Sequence, residues 1–373
     1  MKKNIPNIIF LICLGCIITF FALSYLLTPP SSFSEDENRA LQTPPRFTLE
    51  KLLNGTYTRQ LHDYFSDQIA FRTDMISLKA NTELLTGKNE NNGILLGKDG
   101  YLIETHPYTE DNYSYFKKNL AKIEKLISSL EENGVNVHSA LIPRKIDILK
   151  DKLPPYYSDA RNSAIWEEVG ERHLILTDAL STWQSSGMEI FYKTDHHWTA
   201  DGAYYAYETL IKLLNRTPKS KAHFDLQLLS DNFYGTSYSK SGFFFADPDS
   251  MFAPKSNGDR YVTTIVDTGV TFDGLYDTEY LSKKDKYSVF LSGNNAHVRI
   301  MDMENEEKET LLIIKDSFSH SLAPYLCEHY NIELIDPRYY IGSIEEYIAD
   351  NGIENVLFLF GLDTLASANI SIK

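Results

Sequence analysis

The sequence predicts an α/β protein: a three-layer fold in which helices cover both faces of a central parallel sheet. From Leu311 onward, short apolar runs at 311–314, 332–335 and 356–360 read as strands, with helical segments after Ser317 and over 344–351 between them. The same alternation starts earlier, where an amphipathic stretch from Glu110 to Asn133 leads into the apolar run Val135 to Ile142. Hydrophobic residues make up 43% of the chain, enough to bury one large unit without help from disulfides.

At the amino end, Lys2 and Lys3 precede Ile8 to Leu27, an uncharged apolar stretch long enough to span a bilayer. Lysines on the short side favour that side inside and the rest of the chain outside. Residues 1–27 are therefore read as a retained signal anchor of a single-pass cell-membrane protein with an extracytoplasmic domain. A cleaved signal peptide is the competing reading, with a weak site at Ala22-Leu-Ser24, but the apolar run continues past it. Residues 28–48 form an extracytoplasmic linker that opens with Thr28-Pro-Pro-Ser-Ser32, where helix does not easily continue.

The domain proper is expected over 49–373. Leu49 to Leu85 reads as helix broken at Gly55, and Gly93 to Glu104 as a hairpin around Lys98-Asp-Gly100. Thr199 is placed to cap a helix that runs to Leu214. Between Asn215 and Met303 the chain is richer in Gly, Asp and aromatic residues, with short β-like runs such as Tyr261 to Val266; 215–303 reads as an inserted β-rich segment over the active-site face. The formal charge of −15 leaves no basic field to hold nucleic acid. Cys327 is the only cysteine outside the anchor and reads as a small buried apolar side chain. No tandem Cys/His spacing points to a metal, and no cofactor motif is present.

The chemistry-bearing residues are Asp195, His197 and Ser317. On extended backbone, Asp195 and His197 would project to one side, so that the carboxylate orients the ring and leaves its second nitrogen free as a base. Ser317 stands between an apolar strand and a helix, a setting that presents a hydroxyl at the carboxyl edge of a sheet. The three together would form an acyl-transfer triad; the alternative is a polar strand end and a helix-capping serine. By the same alternation His196 faces away, and Trp198 packs beneath the loop.

The tetrad Asp195-His196-His197-Trp198 resembles the signature of the DHHW family of bacterial cell-surface proteins. Further blocks match in order: Phe33-Ser-Glu-Asp-Glu-Asn-Arg39, Phe65-Ser-Asp-Gln-Ile-Ala-Phe-Arg72, Gly93-Ile-Leu-Leu-Gly-Lys-Asp-Gly-Tyr101, Tyr234-Gly-Thr-Ser-Tyr-Ser-Lys-Ser-Gly242, Phe290-Leu-Ser-Gly-Asn294, Lys315-Asp-Ser-Phe318 and Ile335-Asp-Pro-Arg-Tyr339. That family is similar to the SGNH-hydrolase-like domains of alginate O-acetylation proteins of the AlgJ/AlgX type. The resemblance implies an SGNH-hydrolase-like fold with Ser317 as nucleophile, His197 as base and Asp195 as its orienter. It also implies a permuted motif order, with Asp and His ahead of Ser.

Other residues carry weaker expectations. Asn294 and Gly293, after an apolar run, either donate to an oxyanion or form an ordinary turn. Arg338 and Tyr339, beyond the strand at 332–335, can orient an acyl or anionic group and stack on a sugar, or pack at the core rim. Arg144 and Lys145 share that ambiguity. Tyr238, in the aromatic stretch Tyr234 to Phe245, is the candidate acceptor platform. The expected activity is extracytoplasmic O-acetylation of a polysaccharide acceptor, with a membrane-bound O-acyltransferase as the donor partner that the resemblance implies. A carbohydrate O-acetyl esterase and a non-catalytic polysaccharide-binding or assembly protein are the alternatives.

Overall fold

The computed structural model describes residues 5–34, 36–105, 109–155, 157, 169, 172–256 and 260–372. They fall into two compact units, 1–92 with 242–244, and 93–241 with 245–373. The first unit opens with helix α1 (Ile5–Leu27), apolar along its length and without a buried residue, so it is long and apolar enough to cross a membrane. Helices α2 (Leu49–Leu53), α3 (Thr56–Gln68) and α4 (Arg72–Leu85) follow. The expected break is present at Gly55, whose φ of 75° suits glycine. A second bend, at 69–71, places Phe71 at φ 60°.

In the second unit the strands are β1 (Ile94–Leu96), β2 (Leu102–Glu104), β3 (Asn136–Ile142), β4 (Leu174–Ile175), β5 (Leu226–Phe233), β6 (Asp249–Pro254), β7 (Tyr261–Ile265), β8 (Val270–Asp273), β9 (His297–Asp302), β10 (Thr310–Lys315), β11 (Asn331–Ile335) and β12 (Asn355–Gly361). Its longer helices are α5 (Glu110–Glu132), α6 (Thr177–Ser185), α7 (Ala200–Leu213), α8 (Phe318–Leu326) and α9 (Ile344–Asn351). The main sheet runs β8-β7-β9-β11-β10-β12-β3-β4. Strands β11, β10, β12, β3 and β4 are parallel, in registers such as Leu311↔Ile332 and Val356↔Val137. The other three are antiparallel, and β5 pairs with β6 in a separate two-stranded ribbon.

Alternation along β10 divides the core. Leu311 and Ile313 pack into one cluster with residues of α7 and α8; Leu312 and Ile314 pack into another with residues of α5 and α9. These side chains are fully buried, and each is worth roughly 1.5–3 kcal/mol against exposure. A strand buried on both faces leaves its carboxyl end little freedom, and that end carries the site. The helices anticipated at 110–133, 199–214 and 344–351 and the strands at 311–314, 332–335 and 356–360 all form within a residue or two of those bounds. Thr199 Oγ accepts from the Gly202 N–H (3.2 Å), as a cap should. Of the segment 215–303, β7, β8 and β9 extend the main sheet at its β11 edge, so this stretch builds the sheet as well as β5 and β6.

Candidate active site

Four parallel strands, β3, β12, β10 and β11, end around a cavity of about 510 Å³ lined by Arg144, Lys145, His196, Ser317, Arg338 and Gly361 among others. Crevices at the carboxyl ends of parallel strands are where open α/β folds bind ligands. Ser317 is the residue between β10 and α8, half-buried, with the φ/ψ of a helix residue (−67°, −15°). Asp316, fully buried, fixes this turn. Its carboxylate accepts from the Phe318 N–H (3.1 Å) and from the Gly361 N–H at the end of β12 (2.6 Å).

Asp195 and His197 reach the same edge from a loop closed by the bridge Phe191↔Trp198. His197 Nε2 lies 2.8 Å from Ser317 Oγ and Nδ1 lies 2.5 Å from Asp195 Oδ1. The Asp195 carboxylate also accepts from the His197 N–H (2.9 Å) and the Thr236 N–H (2.6 Å). Burial alone would raise the Asp195 pKa, but the imidazoles of His196 and His197 and these hydrogen bonds hold it well below the usual carboxylate range. Burial and the neighbouring His196 lower His197, against the pull of Asp195.

The loop is not extended. Residues 193–197 form consecutive bends, because side chains from elsewhere seize the backbone. Asp249 accepts from the Lys193 N–H (2.8 Å), the Thr194 N–H (2.8 Å) and the Thr194 hydroxyl (2.5 Å). Lys145, buried, donates from Nζ to the carbonyls of Leu102 (2.7 Å), Lys193 (3.0 Å) and Asp195 (3.0 Å). Burial brings its ammonium down to about 8, opposed by Asp249, Asp195 and Glu104. Gly235 completes the brace: a Cβ there would stand 2.2 Å from the Asp195 carboxylate. The bend also corrects the expectation for His196, which lines the cavity instead of facing away, its ring centroid 3.9 Å from that of His197.

Trp198 is fully buried and donates from Nε1 to Ser321 Oγ (3.0 Å), a packing residue as expected. Tyr287 was not anticipated. Its ring stacks on His197, centroids 3.9 Å apart at 10°, and its hydroxyl lies 3.1 Å from Ser321 Oγ. The signal available in sequence was only its position three residues ahead of the Phe290-Leu-Ser-Gly-Asn294 block.

Among the remaining candidates, Arg338 lines the cavity and pairs in bidentate fashion with Asp336 (2.9 and 2.6 Å), whose other neighbour is the buried Lys315 (3.3 Å). Tyr339 is half-exposed and does not line the cavity. Tyr238 is buried, with its N–H on the Thr194 carbonyl (2.9 Å) and its ring against Tyr234; it lies beneath the loop, away from the cavity lining. Asn294 is exposed and Gly293 sits in a turn at φ 83° over Ser288; neither lines the cavity. Asp195, His196 and His197 offer ligand atoms within 4.8 Å of one another. A cation there would have to displace the Asp195–His197 hydrogen bond.

Fold and sequence motifs together define a class. The family model described as DHHW protein matches residues 180–335, and that described as SGNH hydrolase-like domain, acetyltransferase AlgX, matches 94–234. Over those residues the chain is similar to DHHW proteins, and it has the SGNH-hydrolase-like α/β fold. It is 24% identical over 178 residues to the probable alginate O-acetylase AlgJ of Pseudomonas fluorescens, 45% of each chain. The chain spans about half the length of the curated relatives it matches. Two solved structures share the fold at TM-score 0.57. One is a DHHW family protein from Eubacterium siraeum (22% identity; 74% of this chain, 93% of that one). The other is Bacillus cereus PatB1, solved with a sulfonyl adduct (20% identity; 73% and 97%).

Proposed function

We propose that this protein is an extracytoplasmic O-acyltransferase that acetylates a cell-surface or secreted polysaccharide through Ser317, His197 and Asp195. The observation that carries the reading is one imidazole bonded at both nitrogens, to a carboxylate on one side and a serine hydroxyl on the other. An ionised Asp195 only accepts, so Nδ1 of His197 holds the proton and Nε2 turns its lone pair to Ser317. Ser317 Oγ attacks the acyl carbonyl while its proton passes to Nε2, and the donor's leaving group departs with that proton. A sugar hydroxyl then gives its proton to Nε2, attacks the acyl-serine and regenerates Ser317. The N–H groups of Phe318 and Gly361 are taken up by Asp316, which leaves the Ser317 N–H as the donor at this turn for the developing oxyanion. Arg338 and Arg144 bring guanidinium groups to the cavity that can steer the donor or acceptor.

The similarity to probable alginate O-acetylases of Pseudomonas supports acetyl transfer to a polysaccharide. Helix α1 and the lysines ahead of it support a single-pass anchor with the sheet unit outside the cytoplasm, where a membrane-bound O-acyltransferase would supply acetyl groups.

The test uses the full-length protein in detergent with an activated acetyl ester. The expected outcome is an acetyl-enzyme mapped to Ser317 by mass spectrometry, with turnover down by about 10⁴-fold or more in Ser317→Ala and in His197→Ala. Added acceptor oligosaccharide should speed loss of the acetyl group and yield acetylated sugar. Release of free acetate alone, across a panel of glycans, identifies an esterase. Unchanged turnover in Ser317→Ala removes the triad.

A further inference from the structure

The bend between α3 and α4 presents two large aromatic side chains that the helical unit does not bury. Phe71 is 57% exposed and Phe65 is 46% exposed. Each is set against α1: Phe71 stacks on Phe20 (centroids 5.9 Å, 13°), and Phe65 lies 5.1 Å from Tyr25. Gln68 ties the same bend to the chain leaving α1, accepting from the Ser31 N–H (2.9 Å) and donating to the Ser31 carbonyl (2.9 Å). The height of the bend along α1 is thus fixed at several points.

That height can be read from the helix. The 23 residues of α1 give a length of about 35 Å at 1.5 Å per residue, against a hydrocarbon core of about 30 Å. Phe20 lies about 10 Å along the axis from the outer end at Leu27, and Tyr25 about 3 Å from it. Centred on that core, the helix places Tyr25 at its outer boundary and Phe20 about 8 Å below it, among the upper acyl chains. The rings packed on them share those depths, within the roughly 5–10 Å to which Phe and other apolar side chains of interfacial elements insert. The charges beside the bend are paired, Asp67 with Arg39 (2.5 Å) and Arg72 with Glu37, which lowers the cost of holding them near lipid.

We propose that the α3–α4 bend is a second membrane contact, in which Phe65 and Phe71 seat the helical unit in the outer phospholipid interface beside α1. The inference rests on the reading of α1 as a retained anchor. One membrane helix followed by a linker leaves what it carries free to swing; two contacts fix the helical unit against the bilayer.

The test is depth measurement in proteoliposomes that hold only this protein. Ala70→Cys, in a background with Cys13→Ala and Cys16→Ala, takes an environment-sensitive fluorophore next to Phe71; Cys327 is buried and its thiol pushed up, so it does not compete. Asp111→Cys serves as the water-exposed reference. The expected result is several-fold stronger quenching by spin-labelled lipid, and several-fold weaker quenching by aqueous iodide, at residue 70 than at 111. Adding Phe71→Asp, at an exposed position, should move the residue-70 label back towards the reference. Liposome-bound protein whose label is open to iodide overturns the proposal while the anchor reading stands. A label shielded from both quenchers identifies protein, such as a second copy, as the occupant and overturns it too. Failure to float with liposomes removes the anchor itself, and with it the proposal.

Discussion

Ser317 and the pair Asp195–His197 meet within hydrogen-bond distance but are held by different means. The serine turn belongs to the regular fold, continuing a strand buried on both faces and clamped by one adjacent carboxylate, Asp316. The Asp-His loop has no such frame. Its bends are imposed by Asp249, Lys145 and the backbone at Gly235 and Thr236, each distant in sequence. Defects in the two halves should therefore surface in different measurements, stability for the first and rate for the second.

The largest expected effect is on the loop side. Gly235→Ala drives a methyl into the Asp195 carboxylate, so kcat/KM on an activated ester should fall on the order of 10³-fold, close to the loss in Asp195→Ala. A thermal melt should show the variant folded. A near-wild-type rate would mean that Asp195 does not need its present seat. On the serine side, Asp316→Ala strands two backbone N–H groups and should cost about 2–4 kcal/mol in denaturant unfolding. A stable but slow Asp316→Ala would erase the contrast between the halves.

Lys145→Met tests the brace more gently. Three carbonyls lose one shared donor, and kcat should drop by roughly 10- to 100-fold, as when a positioning group is lost away from the reacting atoms. The smallest effect is in the pH profile. His197 is held below the ordinary imidazole value, so kcat/KM should rise through a limb below about pH 6.5 as the base loses its proton. It should fall again near 8 as Lys145 gives up its charge. Lys145→Met should remove the falling limb and keep the rising one; an unaltered falling limb would assign it to another group.

The same difference decides how much could be read from sequence. The strand at 311–314, the helix after Ser317 and the strands around them follow from apolar spacing, which local residues set. Asp195 and His197 were visible as a pair, but not the shape of the loop that holds them. Extended backbone was expected because nothing within 193–198 marks the bend; its cause lies with Asp249 and Lys145. Tyr238 and Asn294 have side chains suited to a sugar platform and an oxyanion donor, but the first is buried, the second exposed, and neither lines the cavity. Tyr287, stacked on His197, offered no pattern to choose it by. In β7 the side chains alternate between buried and half-buried, a period visible in sequence, but no period tells a strand which sheet edge it will join.

The clamp on Asp316 also has a bearing on synthesis. A ribosome adds Asp195, His197 and Ser317 to the chain before it makes β12, yet the strand between β10 and β3, and the Gly361 N–H that closes the serine turn, come only with β12. A nascent chain would thus carry all three side chains while the turn is still open. The turn that carries Ser317 is then completed late, only once β12 has been made.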